Sequence, residues 1–419
     1  MNAPGDTDRL YRMLLQIGAA LIMFAPVLMF AAREIPATIL IIVSLLLITS
    51  AVRRRRIGAI MHDLGSGMRM PGMLLLTALG GLMLLSLTWS PSVARAASHL
   101  LHFAGAIVLA IIAIALAIRL RPRFETLPLG LALALAASLV AIDMWLSGAL
   151  RDALFLSTDA FRLNRATVAI MLFLPLATAM LAAERRVTLL VWLWCLAIAA
   201  VFLSTSYSAK LALIVTMLVL PLSLALPRIM HRVTMIALPV TVLAMPWIAS
   251  IANSLVPARI HAMLGYGSLT IRGEIWQETV PFVWQKPFFG WGVEASHVLP
   301  HLPEVAHLTQ VQRDLLSWGH THNAPLQIWL ELGAVGATLT ASVLYCGLRA
   351  LRLLPAALLP HATTTVIAAF AVACVSHGAW QAWWWGLLGL IATAFAMTVA
   401  SNFPEVLRRT GESGADTTA

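Results

Sequence analysis

The chain has 419 residues, of which 60% are hydrophobic and 11% charged, with a mean hydropathy of +0.88. A soluble domain is nearer a quarter charged. A soluble globular fold is therefore excluded. All but two of the 28 basic residues are arginine, and the formal charge is +10. In a membrane chain such charge records topology, so no nucleic-acid partner is expected.

Apolar runs of about twenty residues recur from end to end, each long enough to cross a hydrocarbon core of roughly 30 Å. The fold class expected is an all-α polytopic membrane protein of about twelve transmembrane helices with one long periplasmic loop. The spans run near 12–31, 36–52, 71–90, 100–118, 128–147, 166–183, 187–204, 208–226, 233–251, 323–348, 361–378 and 382–400. Residues 1–251 thus hold helices one to nine, 252–322 the loop, and 323–400 helices ten to twelve. The polar stretch 401–419 is expected to be a disordered cytoplasmic tail. The N-terminus is polar and shows no cleavable signal pattern. Cys195, Cys346 and Cys374 all lie in apolar runs, so no disulfide framework is expected.

With a cytoplasmic N-terminus, eighteen basic residues fall on the cytoplasmic side and ten on the other. The bias fixes both ends in the cytoplasm and the loop outside. The run Arg53 to Arg56 is then a topology anchor. The outer ends of the spans collect His99, His102, Asp143, Arg162, Arg165, Lys210, His322, Glu331 and His377. Ionisable groups at membrane depth are costly and usually functional. Their gathering on one side points to a polar cavity there.

In the loop, "SLTIRGEIWQETVPFVWQK" (268–286) reads as an amphipathic helix interrupted or kinked at Pro281. Arg272 and Trp276 are four apart and share a face. The aromatic turn "PFFGWG" follows. His297 and His301 have an i, i+4 spacing, but Pro300 and Pro303 argue against a continuous helix. No HExxH and no Asp-x-Asp is present, so no metal site is expected. After the loop comes "GHTHNAPLQIWLELGAVG" (319–336). Asn323 suits an N-cap and Pro325 a first turn, which sets His322 immediately before the start of span ten.

These motifs resemble the O-antigen ligase and polymerase superfamily. His322, Asn323, Gly333 and Gly336 fit its His-Asn, nine residues, Gly, two residues, Gly pattern. Arg272, Trp276, Pro287, Gly290 and Gly292 look like its Arg-x-x-x-Trp, Pro and Gly-x-Gly. The overall layout is nearer the ligases. The resemblance implies a C-type glycosyltransferase of the Gram-negative inner membrane, multi-pass, with its site facing the periplasm. It needs no metal and no cofactor. It would move a glycan from an undecaprenyl-diphosphate-linked donor to a lipid A-core acceptor, both substrates being lipids of the surrounding membrane. The family tends to carry a basic residue, often arginine, at the outer start of span eight, where this chain has Lys210.

Without a metal, side chains must compensate the leaving diphosphate. Arg272 and Lys210 are the first candidates, with Arg162 and Arg165 behind them. His322 is the candidate general base, kept neutral by the positive helix end beside it. His320 competes with it, and Asn323 and Trp276 support it. Glu331 lies deeper and is expected to pair with a cation across the bundle. No closely spaced acid pair for double displacement is evident, so an inverting displacement is expected. A Wzy-type polymerase or a protein O-glycan ligase would share this chemistry. A lipid-linked sugar transporter is the different class. It would need charges through the bilayer depth, whereas these gather on one side.

Overall fold

The computed structural model describes residues 6–54, 57–255, 259 and 269–405. Arg55 and Arg56 of the basic run, Ser268, and the tail from residue 406 onward lie outside the described residues. Among the described residues all regular structure is helical.

Among the described residues, eight helices are long and apolar enough to cross a membrane, and a ninth span arises if the bent pair Arg9–Met23 and Ala25–Ala31 is one crossing. That pair turns by 61° ahead of Pro26, whose ring cannot continue the hydrogen-bond ladder. The expected spans near 71–90, 187–204 and 361–378 fall on shorter apolar helices, Pro71–Ser86, Val187–Leu203 and Leu359–Ala373. They have 16, 17 and 15 residues. At 1.5 Å per residue these reach about 23–26 Å, less than the bilayer core. The structure thus carries an apolar helix at every expected span, while length alone supports eight or nine crossings.

Two helices form the centre. Ala160–Ala183 and Ala382–Asn402 each have 78% of their apolar window buried, so protein rather than lipid surrounds them. A second apolar cluster lies at one end and joins the long loop to the bundle. It contains Trp276 and Phe282 of helix Leu269–Gln285, Trp291 of the aromatic turn, Leu326 and Trp329 of helix Ala324–Ala350, and Trp380. Helix Leu269–Gln285 runs through Pro281 without a break. As Pro300 and Pro303 imply, no continuous helix joins His297 and His301: Ala295–Val298 is a short turn of helix followed by 3-10 turns.

The glycine motifs explain how the loop locks on. Helix Ala324–Ala350 breaks at Gly333, whose backbone is left-handed (φ 64°, ψ −162°). The freed backbone groups are taken by the aromatic turn. Trp291 and Gly292 donate their N–H groups to the carbonyls of Leu330 and Glu331, and Ala334 donates to Pro287. A Cβ at Gly333 would overlap the Phe288 carbonyl, and one at Gly290 the Glu331 carbonyl. Only glycine lets the two backbones approach this closely. Gly333→Ala is therefore expected to lose folded yield and several degrees of melting temperature in detergent. Gly347→Ala in the same helix, where nothing lies within 4 Å, should be neutral or stabilising.

Candidate functional site

The segment 319–323 is held in place from three sides. Asn323 caps helix Ala324–Ala350, its Oδ1 accepting the Leu326 N–H at 3.0 Å. The Thr321 carbonyl accepts the indole N–H of buried Trp276 at 2.8 Å, which ties the loop helix to this turn. The Thr321 hydroxyl donates to the Asn323 carbonyl at 2.7 Å. Between them His322 is forced into a left-handed backbone, φ 51°. Such a conformation costs about 1 kcal/mol or more for a residue with a Cβ and is kept only where its surroundings demand it. Its N–H donates to His320 Nδ1 at 3.0 Å, and the two rings lie 4.1 Å apart.

The ring of His322 has one committed nitrogen and one free one. Nδ1 faces the Ser376 carbonyl at 3.4 Å, which can only accept, so the proton belongs on Nδ1. Nε2 keeps its lone pair, is buried, and has no hydrogen-bond partner among the described residues. Burial first, then the charge of Arg272, pushes the ring pKa down to about 4, against a smaller upward pull from the Ser376 carbonyl. His320 is pushed down to about 3, again chiefly by burial and then by His322. Desolvation is thus the main cause that keeps His322 neutral.

Arg272 and Arg165 both act on this group of rings. Each contributes positive charge at His320 and at His377. Arg272 is mostly buried, with its pKa lowered by that burial, yet forms no ion pair or hydrogen bond among the described residues. A desolvated guanidinium without an anion is unfavourable unless an anion arrives. Arg165 pairs with Glu34 at 3.0 Å and stacks on Trp383 at 4.3 Å. Lys210 lies over Tyr207 at 5.1 Å, in the first turn of helix Tyr207–Ala225. That helix start is tied to the residue before Arg165: Thr205 donates to the Asn164 side chain at 3.0 Å. Arg162 pairs with Asp159 at 3.3 Å, one step outward.

The wall opposite the loop is the segment 376–385, to which the sequence reading assigned no role beyond an outer-face His377. Ser376 orients His322. The Gln381 amide lies 3.1 Å from His320 Nε2 and accepts the Trp383 indole N–H at 3.0 Å. His377 is buried against Trp383 and Trp384, with Nε2 unpartnered. The signal was present in "SHGAWQAWWW": a histidine and a glutamine spaced among tryptophans. An interfacial aromatic belt has the same composition.

Glu331 does not pair with a cation as expected. Its carboxylate accepts from the Glu294 N–H at 2.8 Å, the Ser296 hydroxyl at 2.7 Å, the Gln327 amide at 2.9 Å and the Trp380 indole at 2.5 Å. Neutral donors from the loop, its own helix and the wall thus surround a fully buried carboxyl group. Glu294 in turn pairs with Arg95 at 2.9 Å and His99 at 3.3 Å. Glu331→Ala should strand these donors and cost about 3 kcal/mol or more, read as a collapse in thermal stability, with Glu331→Gln intermediate. Neither carboxylate is free to serve as a nucleophile. Among the described residues, no three His, Cys, Asp or Glu side chains gather to hold a metal ion.

Residues 172–341 match the Wzy_C family, described as O-antigen ligase. The match takes in Lys210, Arg272, Trp276, His320, His322, Asn323 and Glu331. It stops before the 376–385 wall and begins after Arg162 and Arg165. No curated protein matches the chain.

Proposed function

We propose that the chain is a member of the O-antigen ligase superfamily, whose family model matches residues 172–341, and that it transfers O-antigen from undecaprenyl diphosphate to lipid A-core. The reaction takes place at the periplasmic face of a Gram-negative inner membrane. In this reading all twelve apolar helices cross or enter the bilayer in a C-type glycosyltransferase arrangement, with both ends of the chain in the cytoplasm. The observation that carries the reading is the pairing of a free, buried Nε2 on His322 with an unneutralised guanidinium on Arg272.

The chemistry follows from those two groups. The acceptor hydroxyl gives its proton to His322 Nε2 as its oxygen attacks the anomeric carbon. The bond from that carbon to the diphosphate oxygen breaks, and the electron pair leaves with the diphosphate. Arg272 and Arg165 compensate that charge, with Lys210 as a point charge at the edge. His320 and Asn323 hold the base, and Trp276 holds the loop helix that carries Arg272. Because Glu331 and Glu294 are already committed to other partners, a single displacement with inversion is the fitting course.

A deletion strain tests the assignment. Loss of the lipopolysaccharide ladder with accumulation of undecaprenyl-linked polymer supports the ligase. A band of core plus one repeat unit would assign the chain to a polymerase instead.

A further inference from the structure

Two adjoining cavities lie beside Arg162, away from the histidines. One, of about 160 Å³, is lined by Phe30, Arg33, Arg151, Phe155 and Arg162 among others. The other, of about 450 Å³, is open and lined by Arg33, Glu34, Ile35, Thr38 and Arg162 among others. Arg33 and Arg162 line both, so the two form one groove.

The arginines here are not equivalent. Arg151 is fully used: it is buried, pairs with Asp143 at 2.7 Å and donates to the carbonyls of Ser157, Thr158 and Asp159. Arg162 uses only Nε, toward Asp159 at 3.3 Å. Arg33 has a loose contact to Glu34 at 3.6 Å and lies over Phe161 at 5.5 Å. Glu34, the acid on the groove wall, is drawn to Arg165 at 3.0 Å. Two guanidinium forks therefore keep unused N–H donors in one groove, the arrangement that suits a phosphate. Apolar side chains also line its rim, among them Leu156 and Phe155, which is 98% exposed. A soluble anion has no use for such a rim, whereas a phosphate attached to hydrocarbon does.

Position in the chain adds a second argument. The groove lies wholly before residue 172, outside the matched stretch that carries His322 and Arg272. On the ligase reading the donor diphosphate is held within that stretch by Arg272 and Lys210, which leaves this groove to the other substrate. The groove also adjoins the site by direct contacts: Glu34 to Arg165, Arg165 to Trp383, Trp383 to Gln381, and Gln381 to His320.

We propose that Arg33 and Arg162 form a second anion site that holds a phosphate on the membrane-embedded end of the acceptor glycolipid. The identity of that glycolipid rests on the ligase reading. The full chain in lipid nanodiscs would be titrated with lipid A-core and with the same glycolipid after phosphatase treatment. Wild type should bind the phosphorylated form about tenfold tighter or more, and Arg33→Gln with Arg162→Gln should abolish that preference. Arg162→Gln alone, at an exposed position that folding does not need, should remove part of it. A preference unchanged in both variants would overturn the proposal. So would equal competition by phosphatidylglycerol or inorganic phosphate, which would mark a general anion surface. The two readings fail separately. If the chain is no ligase, the phosphate preference and its loss in the variants persist while purified protein transfers no glycan. If the groove is wrong, transfer proceeds while the preference survives both substitutions.

Discussion

His322→Ala is expected to lower turnover by about 10²–10⁴-fold, the usual contribution of a general base, while the protein still folds. The residue lies outside the packed helices, and its Nε2 holds nothing in place. His320→Ala should lose less, because His320 acts on the base indirectly, its Nδ1 receiving the His322 N–H and its Nε2 lying beside the Gln381 amide. The pH profile separates the base from a merely structural histidine. A base must be unprotonated to act, and its pKa is lowered to about 4. The rate should therefore be flat above about pH 5 and fall only as pH drops through about 4. An unperturbed histidine would give that limb near pH 6.5. Turnover of purified enzyme with lipid-linked donor and lipid A-core acceptor reads both effects.

Arg272→Ala should cost about 10²–10³-fold, the range seen when a preorganised donor to a developing anion is removed. Arg272→Lys should recover only part of the loss, since a lysine keeps the charge but not the fork. A second signature distinguishes diphosphate binding from loop packing. The Arg272 charge is the second cause that lowers His322. Its removal should move the acid limb of the residual activity to higher pH, and the lysine variant should leave that limb near the wild-type position. Residual and wild-type activity should both persist in EDTA. An acid limb that stays in place in Arg272→Ala would mean that the two groups do not share a site.

The helices of the bundle were legible because hydropathy is written locally in the chain. So was the N-cap at Asn323, while the glycines stood out as a spacing whose purpose, the close approach of two backbones, only the fold reveals. The remainder depends on contacts between distant segments. Ser376 meets His322 across 54 positions, and Glu294 meets Glu331 across 37. No period or spacing encodes such pairs. The buried carboxylate of Glu331 was misread for the same reason, since a charge in an apolar run suggests a cation partner, while its actual partners are neutral donors from three segments. The low pKa of His322 was expected from the helix end, but burial dominates, and burial is known only once the loop is folded onto the bundle.

The central claim is a single displacement at the anomeric carbon with His322 as base, and the anomeric configuration of the product linkage tests it most directly. Purified enzyme would be given donor of known configuration, and the new linkage read by nuclear magnetic resonance. The account predicts inversion. Retention would require a covalent glycosyl intermediate on a nucleophile that this site, with Glu331 and Glu294 both committed, does not offer, and would contradict the account.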